Sequence, residues 1–208
     1  MPATAQASCR SARRRGHLRY DHIARCPHLP LPATPAALEV AIGILFVNGA
    51  VACWLLLLGR GVLPDAVPLQ WWSASTLRVD NSQHFADFYS ALHAVWGAAL
   101  CFVSRAIRPE ATLHRRFLVA IGCSGVWEVV ENTPFVISLF NDPAGLDVYR
   151  GDSIINALSD SAFVALGFLA AHKRARWIVI VAGVSTEAAM ALMIHDGFVL
   201  GTARALLP

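Results

Sequence analysis

The chain has 208 residues, of which 56% are hydrophobic and only 15% are charged, and its formal net charge is +3. This composition lies outside the range of ordinary soluble domains, and the apolar residues occur in long blocks rather than in the short periodic patterns of a soluble core. The five cysteines form no CxxC pair, so no disulfide framework is predicted. An all-α membrane protein is therefore expected.

Residues 1–35 form a separate zone that is rich in arginine and proline. Its composition predicts a disordered tail, with a twin-arginine export signal or a misassigned start codon as alternative interpretations. The tail has no interleaved aromatic residues, which favours contact with anionic lipid headgroups over nucleic-acid binding. The rest, residues 36–208, is predicted to be one membrane-embedded helical domain.

Five apolar segments follow, and each is long enough to cross a hydrocarbon core of about 30 Å, which takes about 17 to 25 helical residues. Pro134 is expected to kink the third of them. The segments predict a polytopic transmembrane helical bundle of about five spans: Ala36 to Leu58, Phe88 to Ile107, Phe117 to Phe140, Ile154 to Ala171 and Trp177 to Ile194.

Basic residues are concentrated on one side of this predicted bundle. The tail and the short connections at residues 105–116 and 172–176 carry most of the Lys and Arg residues, whereas the opposite flanks carry few. Short loops that are rich in Lys and Arg favour the cytoplasm. We therefore predict an inner-membrane protein with a cytoplasmic N-terminus and an extracytoplasmic C-terminus.

Ionisable residues within the spans gather toward the predicted outer side. Each costs at least about 2.5 to 3.5 kcal/mol on insertion scales, so such residues usually have a partner, contact water or serve a function. Glu128 and Glu131 share one helix face, and a cluster that only fixes helix register is the alternative. The predicted catalytic residues are His93, Glu128, Asp152 and Asp160, and the predicted ligands of a divalent metal ion are His84, His93, Glu128, Glu131, Asp152 and Asp160.

Three of the polar residues have a second interpretation. His84 lies nine residues before His93, about 180° around an ideal helix, so it is expected in a loop or helix cap if both residues serve one site. Asp87 and Ser153 precede predicted helices, where each can be a helix cap as readily as a site residue. Glu187, His195 and Asp196 are expected in the outer half of the fifth span.

The order of these polar motifs resembles a known family. The chain is similar to uncharacterised bacterial multipass membrane proteins catalogued under a UPF heading, over roughly residues 78–200, and the resemblance implies several spans in the plasma membrane but no activity. It departs at Ile194-His195-Asp196-Gly197, where the family reads Ile-Arg-Asp-Asn. The matching motifs are Asn81-Ser82-Gln83-His84 with Asp87, Tyr89 and His93, Trp127-Glu128 with Glu131-Asn132, Gly151-Asp152-Ser153 with Asn156, and Ser159-Asp160.

A more distant similarity is to VanZ-like membrane proteins, which also carry a His-bearing helix, a helix with Glu and a helix with Asp and Asn before a Gly. Here these residues are His93, Glu128, Asp152, Asn156 and Gly167.

Three functions remain open at this point. The first is a metal-assisted hydrolase or transferase acting on a lipid or envelope precursor, because imidazole and carboxylate together hold divalent ions. The sequence contains neither an HExxH motif nor a nucleophile elbow, so no specific reaction is predicted. The others are a proton- or ion-coupled permease, with the carboxylates as relays, and a non-catalytic accessory protein of the membrane.

Overall fold

The computed structural model describes residues 35–64, 67–141 and 148–206. The predicted disordered tail, apart from Pro35, and the loop residues Asp142 and Asp147 lie outside the described residues. All regular structure in the described ranges is helical, which confirms the all-α fold class. The helices are α1 (Ala36–Leu57), α2 (Phe88–Ile107), α3 (Leu113–Glu131), α4 (Pro134–Phe140), α5 (Ile154–Lys173), α6 (Arg176–Met193) and α7 (Phe198–Leu206).

Four of these helices, α1, α2, α5 and α6, are long and apolar enough to cross a membrane. Their outer faces carry large apolar side chains that are open to the surroundings: Leu45 is 74% exposed, Phe46 76% and Leu192 80%. In water such faces would be an aggregation liability, whereas in a bilayer they contact lipid. The helices therefore indicate a membrane protein.

The third predicted span is corrected by the structure. Instead of one kinked helix from Phe117 to Phe140, α3 begins at Leu113 and ends at Glu131, and α4 is a separate helix that begins at Pro134. The Thr133 hydroxyl caps α4 by accepting a hydrogen bond from the Val136 amide, and proline at the first helical position lacks an N–H that would be unpaired there anyway. The proline starts a helix rather than bending one.

Helix α3 nevertheless runs along the other long helices. Phe117 packs edge-on against Phe168 of α5, with ring centroids 5.5 Å apart, and Ser124 lies 3.3 Å from Ser161. Residue numbers rise on α3 as they fall on α5, so the two helices are antiparallel. We call the end where α2 and α5 begin the acidic end, and the opposite end, with Arg105, Arg116 and Lys173, the basic end.

The closest helix contact joins α2 and α5. Gly97 faces the backbone of Val164, and Gly167 faces the backbone of Ala94. A side chain at either glycine would meet that backbone, so the two helices approach more closely than larger residues would allow, as in other membrane helix pairs with small residues at the interface. This contact fixes the spacing of the polar residues one turn nearer the acidic end.

Candidate functional site

A cluster of four ionisable side chains lies between α2, α3 and α5, and we call His93, Glu128, Glu131 and Asp160 the polar cluster. The His93 ring is at its centre: Nδ1 is 3.7 Å from Glu128 Oε1, and Nε2 is 3.6 Å from Asp160 Oδ2. Glu128 is fully buried, and neither of its carboxylate oxygens has a hydrogen-bond partner among the described residues. A buried polar group of this kind needs a specific explanation.

Glu131 extends the cluster by one helical turn. One ligand atom from each of His93, Glu128 and Glu131 lies within 4.8 Å of the other two. Oε2 of Glu131 is also buried without a hydrogen-bond partner in the described part of the chain. Three side chains thus present lone pairs to one small volume, which is the arrangement that holds a divalent cation.

Asp160 is held in place from the start of α2. The Ser90 hydroxyl donates to Asp160 Oδ1 at 2.9 Å, which leaves Oδ2 facing His93. Ser90 is fixed in turn by Asp87, which accepts hydrogen bonds from the amides of Tyr89 and Ser90 and forms a capping box at the helix start. The cap interpretation of Asp87 therefore has a geometric basis, and its carboxylate is used by α2 itself.

Burial raises the pKa of Asp87, and the hydrogen bonds from the backbone amides of Ser82, Tyr89 and Ser90 oppose that shift. Ser82 adopts a left-handed backbone conformation, with φ of 57°, and its amide donates to Asp87 Oδ2 at 2.8 Å. The loop before α2 and the helix start are thereby joined through one carboxylate.

Asp152 belongs to a neighbouring network rather than to the polar cluster. Its Oδ1 accepts from the Tyr149 hydroxyl and its Oδ2 from Asn132 Nδ2, both at 2.6 Å. Burial raises the pKa of Asp152, although these two donors favour its charged form. The pKa of Tyr149 is also raised, mainly by burial and to a smaller extent by the nearby charge of Asp152. Because Asn132 also bonds the Glu128 carbonyl, Asp152 fastens the end of α3 that carries the two glutamates.

His84 also lies apart from the polar cluster. Its Nδ1 accepts from the Gln70 amide at 3.2 Å, so its Nε2 carries the proton and donates to Asp80 Oδ1 at 3.0 Å. Both ring nitrogens are occupied by the chain, which leaves no lone pair for a metal ion. The residue fixes the long loop before α2, where the helical spacing predicted it would lie.

The remaining polar residues cap helices or join loops. Ser153 caps α5 by accepting from the Asn156 amide, and the Glu187 carboxylate accepts from the Phe198 and Val199 amides at the start of α7. Glu187 is therefore engaged away from the polar cluster.

Tyr149 was missed by sequence reasoning because a loop tyrosine gives no signal of its long-range partners.

Two cavities adjoin the polar cluster at the acidic end. One, of about 330 Å³, has a mixed lining of polar and apolar groups and is called the polar cavity, and the other, of about 450 Å³, is mostly aromatic and aliphatic and is called the apolar cavity. Glu131 lines both, whereas His93 lines the apolar one. The polar cluster thus has space beside it for a small-molecule ligand.

Comparison with known proteins finds several UPF0314 proteins. A UPF0314 protein of Brucella anthropi is 32% identical over 177 residues, covering 84% of this chain and 90% of that protein. A UPF0314 protein of Sphingopyxis alaskensis is 31% identical over 76% of this chain and 84% of its own length, and one of Paracoccus denitrificans is 30% identical over 76% and 81%. No solved structure matches the chain.

The relatives carry the UPF heading that the motif resemblance predicted. Residues 55–208 match a family described as a protein of unknown function (DUF2585). That range includes the whole polar cluster and the residues that hold it in place. The chain accordingly belongs to the DUF2585 family.

Proposed function

We propose that the protein is a metal-dependent hydrolase or transferase of the inner membrane that acts on a lipid or envelope precursor from the extracytoplasmic side. The observation that carries the proposal is Glu128, whose two oxygens are buried near His93 and Glu131 and have no hydrogen-bond partner within residues 35–64, 67–141 and 148–206. An unpaired buried carboxylate is costly, and coordination of a cation removes that cost.

The distances in the polar cluster fit a metal ion. Two ligand atoms about 2.1 Å from a tetrahedral ion stand about 3.4 Å apart, and His93 Nδ1 stands 3.7 Å from Glu128 Oε1. Imidazole with two carboxylates suits Zn²⁺, Mn²⁺ or Fe²⁺, and three protein ligands leave a position for water or substrate. We propose His93, Glu128 and Glu131 as the ligands.

Asp160 acts through His93 in this proposal. If Nδ1 binds the metal, Nε2 carries the proton and points to Asp160 Oδ2, 3.6 Å away. A carboxylate behind a metal-bound histidine fixes the ring orientation and raises the basicity of the ligand. Asp160 is therefore a positioning residue, and Ser90 holds it in that role.

A bound ion would polarise a phosphoryl or carbonyl oxygen and lower the pKa of a coordinated water. In the hydrolytic case the water oxygen bonds to phosphorus or carbon, and the ester bond to the leaving oxygen breaks. The proton lost by the water ends on the leaving oxygen, so atoms and charge balance. Transfer to an alcohol follows the same scheme, with the alcohol oxygen in place of water.

A permease is less well supported than an enzyme. Between the polar cluster and the basic end, the core of the described bundle is an apolar group: Ala98, Cys101, Phe117, Ala120, Ile121, Phe168 and Ala171. A relay that carries protons or ions through the membrane needs polar groups or water along its length. This packed core interrupts such a path.

For the membrane topology we propose five crossings, with α3 as the third. Helix α3 has 19 residues, about 28 Å at 1.5 Å each, but Arg115, Arg116 and its two glutamates make it less apolar than the other spans. Its arginines lie at the basic end, where they can reach the cytoplasmic headgroups. Alkaline phosphatase fused to the C-terminus should be active in cells, and an inactive fusion with a fluorescent cytoplasmic reporter there would reverse the orientation.

Metal analysis of the purified protein tests the proposed site. After saturation with Zn²⁺ or Mn²⁺ and removal of free metal, mass spectrometry of the elements should find about one ion per chain. His93→Ala and Glu128→Gln should lose it, while Asp160→Asn should weaken binding about 10- to 100-fold. Absence of metal from the wild type, or equal retention by both ligand variants, would overturn the proposal.

A matched control pair lies at the basic end. His114 Nε2 is 3.4 Å from Glu39 Oε2, and both side chains are partly exposed. His114→Ala and Glu39→Gln make the same chemical changes as the ligand variants, but they should keep the bound ion. Circular dichroism of every variant separates loss of metal from loss of fold.

A further inference from the structure

The two cavities beside the polar cluster meet along a shared wall. Tyr89, Glu131, Leu139, Phe140, Asp196 and Gly201 line both of them. Glu131 therefore faces the boundary between a polar and an apolar space, and it is also one of the proposed metal ligands. Any ligand that fills both cavities has its middle at the polar cluster.

The polar cavity favours a negatively charged group. Two guanidinium groups line it, those of Arg78 and Arg204, together with His195. Two carboxylates offset this charge: Asp196 lies 3.6 Å from Arg204 and accepts from the Tyr89 hydroxyl, and Glu131 also lines the cavity. Arginine binds phosphate through paired hydrogen bonds and is common wherever that geometry matters. A divalent ion at Glu131 would add further positive charge.

The apolar cavity favours a hydrocarbon chain. Leu92 and Trp96 of α2, Trp127 of α3 and Val136 of α4 line it. Residues of α7 complete the wall, and the neighbouring Val199 of that helix is 67% exposed. The cavity lies within the membrane-embedded bundle, where the surrounding solvent is itself hydrocarbon.

We propose that the joined cavities bind one phosphate ester of a long-chain or diacyl alcohol, a membrane amphiphile with an anionic headgroup. The phosphate lies by Arg78 and Arg204, the chain runs along Trp96 and Trp127, and the ester linkage lies by Glu131. This inference rests on the proposed function, because it names the substrate class of the same site. Binding to the two cavities does not itself require the metal, so the two proposals can fail separately.

Lipid binding to the full-length protein in a neutral detergent tests the inference. Native mass spectrometry in EDTA, and again with Zn²⁺, would compare dioleoyl phosphatidic acid with dioleoyl phosphatidylcholine. One phosphatidic acid per chain should bind at least about tenfold more tightly than phosphatidylcholine in both conditions. Equal affinity for the two lipids would overturn the inference, and it would leave the metal site of the preceding section standing.

Variants locate the bound lipid. Arg204→Gln and Arg78→Gln should each reduce the preference for phosphatidic acid, with Arg108→Gln at the basic end as the control. Val136→Trp fills the apolar cavity and should abolish binding, whereas Val126→Trp changes a lipid-facing position of α3 that is 65% exposed and should not. Binding that persists in Val136→Trp, or that 10 mM inorganic phosphate removes completely, would refute the role of the chain.

Discussion

The contact between α2 and α5 can be tested by adding a single methyl group. A β-carbon at Gly97 would stand 2.7 Å from the Val164 carbonyl carbon and closer still to its oxygen, whereas ordinary contact begins at 3.4 Å. Both atoms belong to the backbone, which cannot rotate away as a side chain can. In Gly97→Ala the two helices must therefore move apart by at least about 0.7 Å, or the backbone must bend.

The expected loss of stability follows from two opposing effects. Overpacking of a tight contact costs about 1–3 kcal/mol, while alanine is better than glycine in a helix by roughly 0.5–1 kcal/mol. Gly97→Ala should therefore lower the free energy of unfolding by up to about 2.5 kcal/mol. Unfolding by sodium dodecyl sulfate in mixed micelles, followed by circular dichroism, would measure the change.

The matched control is Gly122→Ala on α3, where an added β-carbon meets no atom of the described residues within 4 Å. This variant should be as stable as the wild type or slightly more stable. The same movement at Gly97 should weaken metal binding, because His93 and Asp160 each lie one helical turn from the contact. If Gly97→Ala matched Gly122→Ala in both stability and metal affinity, the close contact would not be what sets the spacing of the site.

Three further predictions use other parts of the molecule. Metal at 100 times its dissociation constant should stabilise the wild type by about 2.7 kcal/mol in chemical unfolding, and EDTA should remove this gain in the wild type but change nothing in Glu128→Gln. Glu187→Ala removes the cap of α7 and should cost about 0.5–2 kcal/mol locally, seen as faster amide exchange in α7 but not in α5. Burial raises the pKa of Asp152 in the folded protein above its usual 3.8. Its contribution to stability is therefore present below about pH 4 and is lost as the pH rises through the raised pKa. The free energy of unfolding in EDTA should consequently vary less with pH in Asp152→Asn than in the wild type.

Most of the helical architecture follows from local sequence. The α2 boundaries match the prediction, and those of α1, α5 and α6 differ by no more than two residues at either end, because each is one apolar block between polar flanks. The break after α3 does not follow from local sequence. It depends on Asn132, whose amide bonds both the Glu128 carbonyl and Asp152 twenty residues later. Helix α7 was not predicted at all, since nine residues give too short a pattern.

The candidate site could be predicted in part from the depth of each residue along its span. The helical rise predicts similar depths for His93, Glu128, Asp160 and Glu187. The structure brings the first three together with Glu131, whereas Glu187 bonds the start of α7 instead. The hydrogen-bond partners of His84 and Asp152 were harder to predict, because Gln70 and Tyr149 reach them from loops. Depth can be read from helical rise, whereas the partner of a loop side chain depends on the tertiary fold.

The missing hydrogen bonds of Glu128 argue that the polar cluster does more than fix the register of the helices. Carboxylates that only join helices are expected to accept hydrogen bonds from their neighbours, as Asp152 does with both oxygens. Glu128 is equally buried but accepts none from the residues that the structure describes, and the His93 ring stands 3.7 Å away, beyond hydrogen-bonding distance. A proton would neutralise Glu128, but the hydroxyl it creates would still need an acceptor. A cation at the lone pairs of Glu128, Glu131 and His93 satisfies all three groups at once, and this is why a metal ion explains the cluster better than structural pairing does.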